Sequence, residues 1–121
     1  MTNRQMLDDL REPTKDLRHA IPRTWNGFQG LHAAAMEEGA VPTRLKEATA
    51  LAISVVKHCD GCIAYHAQAA AKAGATVEEV DELLGVALLM EGGPATVYAP
   101  RAHAAFLEFQ AELAPAGTGG G

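Results

Sequence analysis

Residues 44–76, RLKEATALAISVVKHCDGCIAYHAQAAAKAGAT, contain both cysteines of the chain and give the clearest indication of its fold. Apolar residues recur at helical spacing up to about Lys57, and again from Cys62 to Ala73. Between these runs the segment CDGC predicts a turn, since Gly61 helps the chain to change direction. The stretch therefore predicts two helices joined by a short turn that carries the cysteine pair.

The rest of the chain also shows helical patterns, and no segment predicts a strand. Most expected helices begin near a proline or a capping residue, and several end at a glycine. They are 3–20 with an interruption near Pro13, 22–39, 42–57, 62–73, 76–91 with a Thr76–Glu79 capping box, and 94–113 with an irregularity at Pro100. The sequence predicts an all-α fold, with one domain over residues 1–114 and a disordered glycine-rich tail over 115–121.

Composition excludes several classes of function. The formal net charge is −5, and no run of lysine and arginine occurs, which argues against a nucleic-acid surface. The longest apolar run, ATALAISVV, is too short to cross a membrane. The first residues, MTNRQMLDDLREPTKDLRHA, are polar and do not resemble a secretory signal. We therefore expect a cytoplasmic protein with no nucleic-acid or membrane partner.

The cysteine pair is the strongest chemical signal, because cytoplasmic cysteine pairs are more often catalytic, redox-sensing or metal-binding than structural. Cys59 and Cys62 are three positions apart, and a disulfide is feasible at a helix start, where the N-terminal dipole also favours a thiolate. His66 follows Cys62 by four positions, so both lie on one helix face. One thiolate could attack, the other could resolve, and the histidine could move the proton.

Other interpretations of this cluster stay open at this point. His58, Cys59, Cys62 and His66 are four potential zinc ligands, although adjacent His58 and Cys59 suit one tetrahedral ion poorly. A covalent haem motif is excluded, because Ile63 stands where that motif needs histidine. The cysteines could also simply be small buried apolar residues.

Position alone gives the remaining polar and aromatic residues ordinary roles. Glu47 would be a surface carboxylate paired with Lys46 or Arg44. Residue type and position predict similar roles for the other candidates. We expect His58 to tune Cys59 or to interact favourably with a helix end, and Tyr98, Arg101 and His103 to pack or to contact another subunit. We expect Trp25 and Phe28 in the core or an interface, and His19 and His32 at the surface.

The stretch 44–76 resembles the core of the carboxymuconolactone decarboxylase superfamily, and specifically its alkylhydroperoxidase D-like branch. That branch has a glutamate, eleven intervening residues and then Cys-x-x-Cys-x-x-x-His. Glu47, Cys59, Cys62 and His66 keep every spacing of this pattern. The later segment EGGPATVYAPRA also resembles the family's final helix, so that the resemblance covers about residues 22–110.

The resemblance implies an antiparallel helical bundle that assembles into trimers or hexamers. It implies a thiol peroxidase in which Cys62 is oxidised by a hydroperoxide and Cys59 closes the disulfide. His66 and Glu47 correspond to a proton relay, an external dithiol of the lipoyl type would be the reductant, and no cofactor or metal is needed. Well-studied peroxidases of the branch have histidine immediately before the second cysteine, where this chain has Gly61.

The residues themselves also favour Cys59 as the more accessible thiol, because it lies nearer the helix start. This accessibility of Cys59 is compatible with the role that the resemblance implies for Cys62 if peroxide reacts with Cys62 and the reductant attacks Cys59. The alternatives are a lactone decarboxylase, like the enzyme that names the family, and a non-enzymatic redox-sensing or zinc-binding assembly. Lactone decarboxylation does not need a cysteine pair, so the retained spacing counts against it.

Overall fold

The computed structural model describes residues 1–114, which form six α-helices and no β-strand. The helices are α1 (Asn3–Ala20), α2 (Pro22–Met36), α3 (Thr43–Val56), α4 (Asp60–Lys72), α5 (Val77–Glu91) and α6 (Ala95–Glu112). The all-α fold is therefore confirmed. The tail predicted at 115–121 lies outside the described residues. None of the helices in residues 1–114 has the length and apolar character needed to cross a bilayer.

The hydrophobic core lies among α3, α4, α5 and α6, and α3 and α6 each pack against both α4 and α5. The largest fully buried side chains come from all four helices: Leu51, Val55, Ile63, Val80, Phe106 and Phe109. Most of the remaining core residues are alanines, which allow helix backbones to approach closely. Helices α1 and α2 contribute no buried residue and lie outside this four-helix core.

Polar contacts to α6 hold α1 in place. The Glu108 carboxylate accepts hydrogen bonds from the backbone N–H groups of Asn3 (3.3 Å) and Arg4 (2.9 Å). A carboxylate at this position also interacts favourably with the helix dipole. Arg4 donates to Glu112 at 2.6 Å. Further along α1, Leu10 lies over the turn before α4, and its Cδ1 atom is 3.8 Å from where a Cβ on Gly61 would be.

Two expected helix boundaries in the N-terminal half were wrong. Helix α1 continues through Pro13. Proline removes the hydrogen bond to the carbonyl four residues earlier, but that residue, Asp9, is exposed, so water can replace the lost donor. Helix α2 ends at Met36 and does not reach Gly39. The Thr43 hydroxyl donates to the Met36 carbonyl at 2.6 Å, which satisfies one of the free acceptors at that helix end.

The local signals in the C-terminal half are confirmed more closely. The Thr76 hydroxyl accepts from the Glu79 N–H (3.1 Å), and the Glu79 carboxylate accepts from the Thr76 N–H (3.0 Å). This capping box starts α5, and Gly92 ends it with φ of 81°, in the left-handed region that glycine adopts easily. The irregularity expected at Pro100 was wrong, because α6 includes this residue without a break. The carbonyl that Pro100 leaves without a donor belongs to Thr96, which is exposed to water.

Candidate functional site

The turn between α3 and α4 places the two cysteines at a helix start. His58 adopts φ of 54°, a left-handed conformation that is uncommon for residues other than glycine. Its N–H donates to Val55 (3.0 Å), and the N–H of Cys59 donates to Ser54 (3.2 Å), so α3 closes within this turn. The chain reverses here, and Cys59 becomes the N-cap of α4.

Cys59 and Cys62 form a disulfide, with their Cα atoms 5.2 Å apart. Helix α4 begins at Asp60, two positions before the expected start at Cys62, so both cysteines belong to its first turn. The Sγ atom of Cys59 accepts the backbone N–H of Cys62 at 3.2 Å. A thiolate at Cys59 would receive the same hydrogen bond and the favourable end of the helix dipole.

The Glu47 carboxylate is buried and contacts His66 directly. The residue is only 5% exposed, and its Oε1 atom lies 2.8 Å from His66 Nδ1. The surface role expected from position alone is therefore wrong, and the contact implied by the resemblance is present. Helix α3 packs against α4, which brings Glu47 in the second turn of α3 to His66 in the second turn of α4. A buried carboxylate hydrogen-bonded to one ring nitrogen of an imidazole fixes the orientation of the ring.

His32 also belongs to this site, contrary to the surface role expected from its position. Its Nε2 atom lies 3.9 Å from Glu47 Oε2, and its ring contacts Tyr65 edge-on with centroids 5.9 Å apart. Nε2 is buried and has no hydrogen-bond partner within residues 1–114. One signal in the sequence could have shown this, since Trp25, Phe28 and His32 recur at helical spacing and define one face of α2.

A cavity of about 530 Å³ lies over the disulfide, between α1, α2 and α4. Its lining is mostly apolar and aromatic and comprises Leu10, Thr14, Trp25, Phe28, Gln29, His32, Cys59, Gly61, Cys62, Tyr65 and His66. Trp25 and Phe28 are not core residues of this chain, as Trp25 is half-buried and Phe28 is exposed. Burial raises the pKa of Tyr65, and the charge of Glu47 raises it further, so its hydroxyl stays neutral.

A second imidazole–carboxylate pair lies next to Cys59. His58 Nε2 is 3.0 Å from Glu91 Oε2, and the His58 ring stacks on Tyr98 with centroids 4.5 Å apart. Arg101 covers the Tyr98 ring and bonds Asp60 at 3.3 Å. These contacts connect the start of α4 to α5 and α6. They also stabilise the His58 side chain in a position that requires its left-handed backbone conformation.

The four residues considered as zinc ligands do not surround one point. His58 contacts Glu91, His66 contacts Glu47, and the two cysteines bond each other. Within residues 1–114, no three His, Cys, Asp or Glu side chains are grouped as they would be around a metal ion. His19 does not line the cavity, and His103 pairs with Asp81 at 2.7 Å on another part of the molecule.

Comparisons with known proteins agree with one another on the family of this chain. The family model of the carboxymuconolactone decarboxylase family matches residues 22–105. An uncharacterized protein of Cupriavidus necator is 39% identical over 100 residues, which are 83% of this chain and 88% of that protein. An uncharacterized protein of the Paracoccus denitrificans cox locus is 34% identical over 79 residues, covering 65% of this chain and 71% of that protein.

A solved structure of the same family has a similar fold. The apo crystal structure of a carboxymuconolactone decarboxylase family protein from Legionella pneumophila superimposes with a TM-score of 0.86 and 39% identity. The match covers 89% of this chain and 96% of that one. The family model, the sequence relatives and the shared all-helical architecture together establish that this chain belongs to the carboxymuconolactone decarboxylase family.

Proposed function

We propose that this protein is a thiol-dependent peroxidase that reduces hydroperoxides with electrons from an external dithiol. The observation that carries the proposal is a disulfide at a helix start, on the wall of an apolar cavity that also contains His66 hydrogen-bonded to buried Glu47. The spacing of Glu47, Cys59, Cys62 and His66 supports placing the chain in the alkylhydroperoxidase D-like branch. The proposed compartment is the cytoplasm, where dithiol reductants are maintained.

The reaction begins with the reduced cysteine pair. His66, held by Glu47, takes the proton of the Cys62 thiol, and the thiolate attacks one oxygen of the hydroperoxide. An S–O bond forms and the O–O bond breaks, which leaves Cys62 as a sulfenic acid and releases an alcohol after one proton is taken up. Cys59 then attacks the Cys62 sulfur, the sulfenic oxygen leaves as water, and the disulfide forms.

The external dithiol completes the cycle. One thiolate of the reductant attacks Cys59, which lies at the helix N-terminus, and Cys62 leaves as a thiolate. The second reductant thiol resolves the mixed disulfide, so that the reductant becomes a disulfide and both cysteines regain their protons. A lipoyl-type dithiol suits this step, because its short alkyl arm can enter an apolar cavity and its two thiols close a ring.

The cavity favours an uncharged substrate. Leu10, Trp25 and Phe28 supply apolar surface, and its volume of about 530 Å³ is in the range of small-molecule sites. No lysine or arginine lines the cavity, so a substrate carboxylate would find no permanently charged cation there. This argues for alkyl or aryl hydroperoxides and against the acidic lactone of the reaction that names the family.

We expect the disulfide to be reversible and the reduced protein to consume hydroperoxide. Mass spectrometry should show two hydrogen atoms gained with dithiothreitol and lost again with one equivalent of cumene hydroperoxide, with cumyl alcohol as product. Turnover should then be measured with several hydroperoxides, using dithiothreitol and dihydrolipoamide as donors. The control is the Cys59→Ala, Cys62→Ala double variant, in which a lactone decarboxylase would keep its activity. Sulfonic acid without any disulfide, or no consumption above this control, would contradict the proposal.

We also propose that the protein assembles into a homo-oligomer, either a trimer or a hexamer, with the hexamer favoured. Large apolar side chains are exposed on helices α2 and α5, including Leu31 and two residues of high exposure, Leu89 (81%) and Met90 (77%). Apolar surface of this kind is typical of subunit contacts. We expect light scattering at micromolar concentration to give six chain masses, and Leu89→Glu to lower that mass. Exposed Gln110→Glu is the matched control, and a monomeric wild type would contradict the proposal.

A further inference from the structure

The imidazole of His32 lies near the second oxygen of the buried Glu47 carboxylate, and the proposed peroxidase reaction gives it no role. Glu47 Oε1 lies 2.8 Å from His66, and Glu47 Oε2 lies 3.9 Å from His32 Nε2. One buried carboxylate is therefore flanked by two imidazoles, one at each oxygen. The His32 nitrogen is buried without a hydrogen-bond partner in residues 1–114, which is unusual for a polar atom.

The other edge of the His32 ring is accessible from the disulfide cavity. The side chain is 27% exposed although Nε2 is buried, so the exposed part of the ring lies away from Nε2. His32 also lines the same cavity as the two cysteines. An imidazole placed in this way can receive a proton at Nε2 from the carboxylate side and release one from Nδ1 toward a molecule in the cavity.

Cleavage of a hydroperoxide creates a need for such a proton. The leaving oxygen of an alkyl hydroperoxide departs as a strongly basic alkoxide unless it is protonated as the O–O bond breaks. His66 holds the thiol proton as an imidazolium, but it acts beside the attacking Cys62 sulfur, and in-line displacement directs the leaving oxygen away from that sulfur. Burial raises the pKa of Tyr65, which makes its hydroxyl a poorer acid. Gly61 brings no side chain to the cavity. His32 remains as the other imidazole of the cavity lining.

We infer that His32 is the general acid that protonates the leaving alkoxide, and that Glu47 links it to His66. The Cys62 thiol proton passes to His66. The Cys62 thiolate forms the S–O bond, the O–O bond breaks, and the alkoxide takes a proton from the imidazolium form of His32, which becomes neutral. The imidazolium of His66 then passes its proton to Glu47, and the carboxyl group rotates and closes the 3.9 Å gap to Nε2 to return that proton to His32. The thiol proton is therefore balanced by the proton in the alcohol. This inference rests on the proposed peroxidase function, and it assigns His32 as the residue that donates a proton to the leaving oxygen of the substrate.

The test compares hydroperoxides that differ in how much their leaving group needs a proton. tert-Butyl hydroperoxide releases a basic alkoxide, whereas a peracid such as perbenzoic acid releases a carboxylate that needs no proton. His32→Gln and His32→Phe should slow sulfenic acid formation in a single turnover with tert-butyl hydroperoxide by about 10²-fold or more. The rate with the peracid should change by much less. His103→Gln is the matched control, since it removes an imidazole that pairs with Asp81 outside the cavity.

A second measurement separates an acid from a residue that only supports the fold. Alkylation of reduced Cys62 by iodoacetamide requires the thiolate but no leaving-group proton. His32→Gln and His32→Phe should leave this rate near its wild-type value, whereas His66→Ala should lower it. Equal losses with both peroxides, parallel losses in alkylation, or an unchanged rate with tert-butyl hydroperoxide would each overturn the inference and leave the proposed peroxidase intact. If the wild type reacts with no peroxide, the proposed function fails, and the role of His32 fails with it.

Discussion

Replacing Cys62 by serine should abolish peroxide turnover, lowering the rate by at least about 10³-fold, because a neutral hydroxyl is a far weaker nucleophile than a thiolate. Cys59→Ser should also stop turnover with a dithiol, but for another reason. Its Cys62 can still attack the peroxide, and the sulfenic acid then has no neighbouring thiol to resolve it. A single equivalent of peroxide should therefore add one oxygen atom to Cys59→Ser and should leave Cys62→Ser unmodified.

The position of the two cysteines does not by itself decide which of them reacts with peroxide. Cys59 and Cys62 both line the cavity and both lie in the first turn of α4, so peroxide could reach either sulfur. The helix start and the N–H of Cys62 favour a thiolate at Cys59, whereas the nearby His66 favours proton removal at Cys62. A sulfenic-acid probe that labels only Cys59 in the single variants would reverse the two roles.

Glu47→Gln and His66→Ala should each slow the reaction with peroxide by about 10²–10⁴-fold, the usual contribution of a positioned general base. Glutamine keeps the shape of Glu47 but carries no charge, so it cannot balance the positive charge that His66 gains when it takes the thiol proton. In both variants, the alkylation of Cys62 should require a higher pH than in the wild type. The measurements are stopped-flow peroxide consumption and the pH profile of iodoacetamide alkylation.

The double variant tests whether the two residues act as one unit. Because Glu47 acts on the thiol through His66, the loss in the double variant should be little greater than that of the slower single variant. His103→Gln, which breaks a surface imidazole–carboxylate pair, should leave both rates unchanged. Wild-type rates and an unchanged alkylation profile in Glu47→Gln would remove the glutamate from the mechanism.

Much of the fold could be predicted because its signals are local. The capping box at Thr76 and Glu79 and the glycine ends at Gly74 and Gly92 depend only on neighbouring residues, and the structure contains them as expected. The break expected at Pro13 was wrong because proline costs less where the freed carbonyl is exposed to water. Exposure of one face of a helix depends on what packs against it, which local patterns do not include.

The all-α class and the cysteine pair at a helix start could be predicted from the sequence, because both follow from neighbours along the chain. The same holds for the spacing of Glu47, Cys59, Cys62 and His66. Helix packing, in contrast, buries Glu47 against His66 and brings His32 from α2 to the same carboxylate. Both contacts are made between different helices, and their distances depend on how α2 and α3 pack against α4. Packing also makes Trp25 and Phe28, which were expected in the core or an interface, part of the wall of the cavity over the disulfide.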